Sequence, residues 1–318
     1  MRCCVLGGTG FIGQHLVRDL VARGDTVTVL SRSSADAVRA HHPVFPVDAV
    51  QWVKGDWSDP VALAAAVRGA DVCFHLVSTS LPRSSNEDPV DDITTNVGGT
   101  LRLLERLVAF EVKKVVFVSS GGTIYGVPQF LPVSESHPLE PNCSYGIGKL
   151  AIEKYLQLFS TLHGLDYGIV RLSNPYGEGQ QVNRAQGAVS VFLDRVLRGQ
   201  SIDIWGDGSI VRDYIYVADA VDGILRVAEY QGPEKIFNIG SGMGRSLTDI
   251  LGAIESLLAC KADVRFLAPR AFDVPVNVLC IERARTLLGF EPKIAFADGI
   301  DRTANWQKAQ MRLAAGVS

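Results

Sequence analysis

The sequence predicts an α/β protein built on a doubly wound parallel sheet, with a smaller C-terminal lobe. Three observations predict it. Short β-branched runs alternate with helical patterns through the first half of the chain, a glycine-rich turn follows the first run directly, and the regular alternation stops after Leu172. Strand–helix alternation of this kind places helices on both faces of a parallel sheet.

The expected strands are Cys3–Leu6, Thr26–Leu30, Val50–Lys54, Val72–Leu76, Val115–Val118 and Tyr167–Leu172. Between them the spacing predicts helices over Phe11–Arg23, Val61–Arg68, Ile93–Phe110 and Tyr145–His163. The third carries its apolar residues, Val97, Leu101, Leu104, Leu107 and Val108, at helical spacing. Beyond Leu172 the pattern gives a helix at Ala188–Leu197, strands at Ile202–Trp205 and Ile236–Ile239, and a helix at Leu247–Leu258.

Gly7-Gly8-Thr9-Gly10-Phe11-Ile12-Gly13 leaves the first strand and opens the first helix. Glycine lets such a loop turn sharply and brings backbone close to a pyrophosphate, while the helix N-terminus offers free N–H groups to the phosphates. A glycine triplet alone also suits an ordinary turn; the strand–loop–helix context points to dinucleotide binding and a Rossmann-type sheet. The expected division is a dinucleotide domain over 1–172 plus about 210–238, and a substrate-binding lobe over about 173–209 plus 239–318. The second strand runs into Ser31-Arg32, where an NAD-preferring fold usually carries an acid for the ribose 2′-hydroxyl. An arginine fork can clamp a 2′-phosphate, so this dipeptide tilts the cofactor toward NADP, with a solvated surface arginine as the alternative.

Composition narrows the partners. The chain of 318 residues is 47% apolar and 20% charged, with 31 basic and 34 acidic residues for a net charge of −3. It shows no basic patch for nucleic acid. The charge-free stretch from Val115 to Ser134 is broken by glycines and prolines and cannot span a membrane. The apolar run Cys3–Leu6 is too short for a signal peptide core, and the six cysteines show neither a CxxC pair nor metal-ligand spacing. A cytoplasmic protein without structural disulfides or metal is expected.

Tyr145 and Lys149 stand four positions apart, one turn along one helix face. A phenol has a reference pKa of about 10, and lowering it by about three units takes roughly 4 kcal/mol of differential stabilisation. A neighbouring ammonium and a nicotinamide cation both favour phenolate, making the pair a proton shuttle for hydride-transfer chemistry. Such a pair also occurs by chance on helix surfaces; its conjunction with the glycine loop gives it meaning.

These motifs resemble the extended short-chain dehydrogenase/reductase family, in particular its nucleotide-sugar epimerase branch, of UDP-glucose/galactose 4-epimerase type. The likeness runs over nearly the whole chain: Gly7–Gly13, Gly55-Asp56, His75–Ser78, Asn96–Thr100, Ser119–Gly126, Tyr145–Lys149, Asn174–Gly177 and Arg212–Val217. The resemblance implies that Gly7, Gly10, Phe11, Ile12 and Gly13 hold the cofactor and that Asp56 and Trp57 flank its adenine. It implies that Leu76, Val77 and Ser78 line the nicotinamide half, with Asn96 and Ser119 also on the cofactor side. Lys149 would hold the nicotinamide ribose, and Ser173 would lie near the nicotinamide. Ser80 and Asn174 would meet the sugar nucleotide, Arg212 and Arg270 its diphosphate, and Asp273 its ribose. Simple ion pairs with Asp213 and Asp273 are the alternatives for the two arginines, though paired arginines suit a diphosphate.

One departure stands out. The family places a Ser or Thr hydroxyl beside the reacting sugar oxygen, and alignment on Tyr125-Gly126 puts Gly121 there. Ser120 is the favoured substitute and Thr123 the alternate. Gly122-Thr123 also replaces the Asp-Glu pair of related dehydratases.

The resemblance implies 4-epimerisation of a nucleoside-diphosphate sugar through a transient 4-keto intermediate. An NADPH-dependent 4-keto sugar-nucleotide reductase is the main rival, and a non-catalytic dinucleotide sensor the third reading. Asn277, smaller than the aromatic that excludes N-acetyl groups in similar enzymes, leaves room for N-acetylated hexoses. Similar proteins pair through the helices Ile93–Phe110 and Tyr145–His163, so a homodimer is expected. His75 reads as a packed, hydrogen-bonded residue.

Overall fold

The computed structural model describes residues 1–41, 45–182, 187–269 and 274–314. In chain order its strands are β1 Arg2–Leu6, β2 Thr26–Ser31, β3 Val50–Lys54, β4 Val72–His75, β5 Lys114–Ser120 and β6 Asp166–Leu172. Shorter strands follow: β7 Asn174–Tyr176, β8 Ile202–Trp205, β9 Val211–Tyr216, β10 Ile236–Ile239, β11 Gly244–Ser246, β12 Val264–Leu267 and β13 Val276–Asn277.

Seven strands make one sheet in the order β10-β6-β5-β4-β1-β2-β3. The pairs β1–β2, β2–β3, β1–β4 and β4–β5 are all parallel. The order reverses direction between β1 and β4, and a doubly wound sheet opens its ligand crevice at the carboxyl ends of that strand pair. Cys3 to Leu6 are fully buried, as expected of a strand covered on both faces, where alternation gives way to a continuous apolar run. Leu6, Leu103, Leu104, Leu107, Phe117 and Ile152 belong to one buried cluster, which also takes in Leu156.

Local chemistry sets the helix ends. The Pro60–Val67 helix has proline in its first turn, and the Asp59 carboxylate accepts from Val61 N–H. The Ser144–His163 helix stops at Gly164, which takes φ +70°. The helix expected from Ile93 is longer and less regular than its periodicity predicts. It starts at Pro89, passes through a π-helical turn at Ile93–Val97, and becomes α-helical at Gly98–Ala109. Gly99 has a packing reason: a Cβ there would lie 2.5 Å from the Trp57 ring.

The chain divides into two compact units. The first comprises Met1–Gly126, Pro138–Arg171 and Val221–Phe237; the second comprises Val127–His137, Leu172–Ala220 and Asn238–Ser318. Within the second, β11, β9 and β13 form a small sheet on which β7 also pairs with β9, while β8 and β12 pair separately. The Leu247–Leu258 helix opens with a reciprocal cap between Ser246 and Asp249. Among the described residues no helix is long and apolar enough to cross a membrane.

Candidate active site

The glycine loop has the shape a diphosphate needs. Gly7 takes φ +82°, Gly10 N–H donates to Gly7 O at 3.0 Å, and the Phe11–Ala22 helix starts with no side chain capping it. Its first N–H groups therefore face outward, ready for an anion. Side chains would ruin this cradle: a Cβ on Gly13 would stand 2.1 Å from Gly7 O. A Cβ on Gly7 would stand 3.3 Å from the backbone of Leu76 and Val77, so the loop and the segment beyond β4 lie side by side. The residues present fit a dinucleotide.

At the end of β2, the buried Ser31 accepts Ser33 N–H on its hydroxyl at 3.2 Å. Arg32 extends into solvent, its side chain 83% exposed and 3.9 Å from Asp56. The Asp56 carboxylate accepts from Ser58 N–H and Ser58 Oγ, which holds its pKa below the usual carboxylate value, with the Arg32 cation a lesser cause. The Trp57 ring turns toward His75, 5.5 Å between centroids.

Tyr145 and Lys149 sit in the first turns of the Ser144–His163 helix. No residue of the helix caps it; instead Asn86 Oδ1 accepts Ser144 N–H and Ser85 Oγ accepts Tyr145 N–H, both at 2.9 Å. Asp92 organises the surroundings. This buried carboxylate accepts from Ser144 Oγ, Asn96 Nδ2 and Ser80 Oγ, and Asn96 Oδ1 in turn accepts Thr79 N–H. The 78–80 segment and the start of the helix thus hang on one anchor.

Lys149 is buried, donates from Nζ to Val118 O at 3.0 Å, and lies 4.6 Å from the centre of the Phe117 ring. Loss of water lowers its pKa from 10.5 to about 8, against the opposing pull of Glu153 and Asp92. Tyr145 is pushed up to about 12, again chiefly by removal from water, with Cys143 and Asp92 adding to the rise and a hydrogen bond with Ser78 opposing it. Without a cofactor cation, the phenol is a weak base at neutral pH.

Beneath the pair lies a buried ionic cluster. Glu153, one turn beyond Lys149, accepts from Arg171 Nη2 at 2.7 Å and from Ser119 Oγ at 2.6 Å, and Arg171 Nη1 donates to Tyr125 OH. Ser119, expected on the cofactor side, therefore turns its hydroxyl into this cluster. Thr123 Oγ1 is buried without a partner. His75 Nε2 is 2.9 Å from Thr100 Oγ1, whose own proton goes to Asn96 O, so His75 carries its proton on Nε2. Burial lowers its pKa to about 3 and keeps it neutral.

In the second unit, adjacent strands bring together Asn174, Arg212 and Asn277. Asn174 on β7 faces Tyr214 on β9 and donates from Nδ2 to Asp213 O at 3.0 Å; Asn277 on β13 stands opposite Arg212. Asp213 turns its carboxylate to Ser241 N–H, Ser241 Oγ and Gly242 N–H, which answers the alternative of an Arg212–Asp213 ion pair. Burial raises the pKa of Asp213, with those donors opposing. Ser173 Oγ is buried without a partner, a polar atom left for something to meet. Arg270 and Asp273 lie outside the described residues.

Periodicity did not single out Ser85, Asn86, Asp92, Glu153 or Arg171. Only Glu153 left a local signal, since Tyr145, Lys149 and Glu153 repeat every four residues.

Comparison with known proteins agrees with this geometry. The family described as NAD dependent epimerase/dehydratase is matched over residues 3–240. The UDP-glucose 4-epimerase of Mycolicibacterium smegmatis is 36% identical over 308 residues, covering 96% of this chain and 98% of that protein. The dTDP-4-dehydro-6-deoxyglucose reductase of Escherichia coli is 33% identical, covering 94% and 95%. The structure of UDP-glucose 4-epimerase with UDP-glucose from Thermotoga maritima superposes with a TM-score of 0.89 at 31% identity, covering 98% of this chain and 100% of that one.

Proposed function

We propose, from the premise that this chain belongs to the NAD dependent epimerase/dehydratase family, that it interconverts nucleoside-diphosphate sugars at C4 through a transient 4-keto sugar. The observation that carries the reading is the placement of Tyr145 and Lys149 one turn apart, in the same unit as a glycine cradle whose tight backbone suits a diphosphate. A dinucleotide held by the Gly7–Gly13 loop would supply the acceptor, and later the donor, of the sugar hydride. Tyr145 takes the proton of the sugar 4-hydroxyl and returns it. Lys149 holds the cofactor ribose and, as a cation, favours the Tyr145 phenolate. Asn174 and Arg212, with Arg270 and Asp273, grip the nucleoside diphosphate, and loose contacts to the sugar let the keto intermediate turn over.

Arg32 and the Escherichia coli relative favour a second reading, reduction of a 4-keto sugar nucleotide with NADPH. In that reading Arg32 takes a 2′-phosphate in competition with Asp56. A homodimer fits the exposed Ile147, Leu158 and Leu162, which share one stripe of the Ser144–His163 helix.

The deciding experiment incubates the purified protein with UDP-glucose and UDP-N-acetylglucosamine without added dinucleotide. Mass spectrometry then identifies any dinucleotide released on denaturation. Turnover to the 4-epimer with near-stoichiometric bound NAD is expected, because epimerisation returns the hydride within each cycle. A cofactor-empty protein that turns over only with added NADPH and a 4-keto substrate replaces epimerase with reductase. The smaller Asn277 side chain supports acceptance of the N-acetylated sugar.

A further inference from the structure

Arg171 and Glu153 are an ion pair almost wholly out of water, 1% and 3% exposed. A buried pair of this kind gains little over two well-packed apolar side chains, so its geometry matters more than its energy. Arg171 Nη2 donates to Glu153 Oε2 at 2.7 Å, and Arg171 Nε reaches both carboxylate oxygens, at 3.2 and 3.3 Å. The remaining nitrogen, Nη1, donates to Tyr125 OH at 3.0 Å. Glu153 Oε1 accepts the Ser119 hydroxyl at 2.6 Å. One pair therefore holds both ends of the stretch from Ser119 to Tyr125, which carries Ser120 and Thr123.

Lys149 lies one helical turn before Glu153 on the same face, yet among the described residues it forms no hydrogen bond to that carboxylate. Its Nζ donates instead to Val118 O at 3.0 Å. Val118 is the residue before Ser119, and the paired register of β4 and β5 ends at His75 and Phe117, one residue short of it. The contacts close a ring. It runs from Lys149 to Val118 O, along one peptide to Ser119, through the Ser119 hydroxyl to Glu153, and one turn back to Lys149.

We propose that Glu153 is a positioning residue for Lys149: clamped by Arg171, it grips the Ser119 hydroxyl and so fixes the Val118 carbonyl against which the lysine is set. This rests on the reading of Lys149 as the residue that holds the cofactor ribose and favours the Tyr145 phenolate. The charged and titratable groups around Lys149 are Tyr145 and Glu153 on its own helix, with Asp92 and the neutral His75 beside them. A direct ion pair with Glu153 would draw the ammonium away from Tyr145. Holding it by a carbonyl uses one of its protons and leaves the others for ribose hydroxyls.

The test reads Lys149 itself. Lysines are labelled with ¹³C at Cε in the NAD-saturated protein, and the Lys149 signal is the one that disappears in Lys149→Met. Ser119→Ala cuts the link while leaving the Glu153 and Arg171 charges in place. It is expected to lower the Lys149 ionisation midpoint by about one pH unit, the lower end of what a hydrogen bond to a charged group supplies. Two double variants repeat the test with neither buried charge present. Arg171→Met with Glu153→Gln keeps an amide oxygen that accepts from Ser119; Arg171→Met with Glu153→Met does not. The glutamine variant is expected to hold the higher midpoint by a similar margin. Circular dichroism checks each fold, and if Ser119→Ala does not fold, the double variants decide. A Lys149 midpoint unchanged in Ser119→Ala, or equal in the two double variants, overturns the assignment. The label reads the ammonium and not turnover, so failure on UDP-glucose sinks the epimerase reading and leaves this test standing.

Discussion

Replacing Lys149 with methionine separates what this side chain does for stability from what it does for chemistry. Its ammonium is buried beside Phe117 and its pKa falls from 10.5 to about 8, mainly because it has left water. The sign follows from proton counts. Below pH 8 both folded and unfolded chains hold the proton, and the folded state bears the full cost of a desolvated cation. Between pH 8 and 10.5 the unfolded chain holds more of the proton, so stability rises with pH. At about 1.4 kcal/mol per pH unit, the cost is roughly 3 kcal/mol. Lys149→Met removes this dependence while keeping a side chain of similar length. Lost packing and the lost bond to Val118 O contribute at every pH and cancel in the comparison. Urea unfolding of both proteins, followed by tryptophan fluorescence at pH 7 and at pH 10.5, measures it. Relative to the variant, the parent is expected to gain roughly 3 kcal/mol over that interval. Turnover is lost at both pH values. A stability difference that stays constant from pH 7 to 10.5 refutes the account of Lys149 as a strained, desolvated cation.

Two further predictions concern the same unit. Arg171→Met alone leaves Glu153 as an unpaired buried carboxylate and is expected to cost about 3–5 kcal/mol. Adding Glu153→Met removes the orphaned charge and recovers most of that loss; chemical denaturation reads both, and a double variant no better than the single one refutes the pairing. Arg32→Ala is expected to weaken NADP binding about tenfold or more, the worth of a charge-assisted bond to phosphate, while leaving NAD nearly unchanged. Calorimetric dissociation constants that shift equally for both dinucleotides rule out the clamp.

How far the sequence could be read depended on how far apart the cooperating residues lie along the chain. The cradle of Gly7 to Gly13 and the pair Tyr145–Lys149 are local, so spacing alone exposed them, and the strands around them are buried on both faces and show as continuous apolar runs. The second unit was harder. Its β7, β11 and β13 are two or three residues long, too short for periodicity to register, and they find their partners only through β9. The Phe296–Ala314 helix was within reach of the same method, since Ile300, Thr303, Ala304 and Gln307 share one buried stripe. What sets the behaviour of the site was not local. Asp92 lies 52 positions from Ser144, and Glu153 lies 18 from Arg171, yet these contacts anchor the start of the Tyr145 helix and hold the two carboxylates that oppose the fall in the Lys149 pKa.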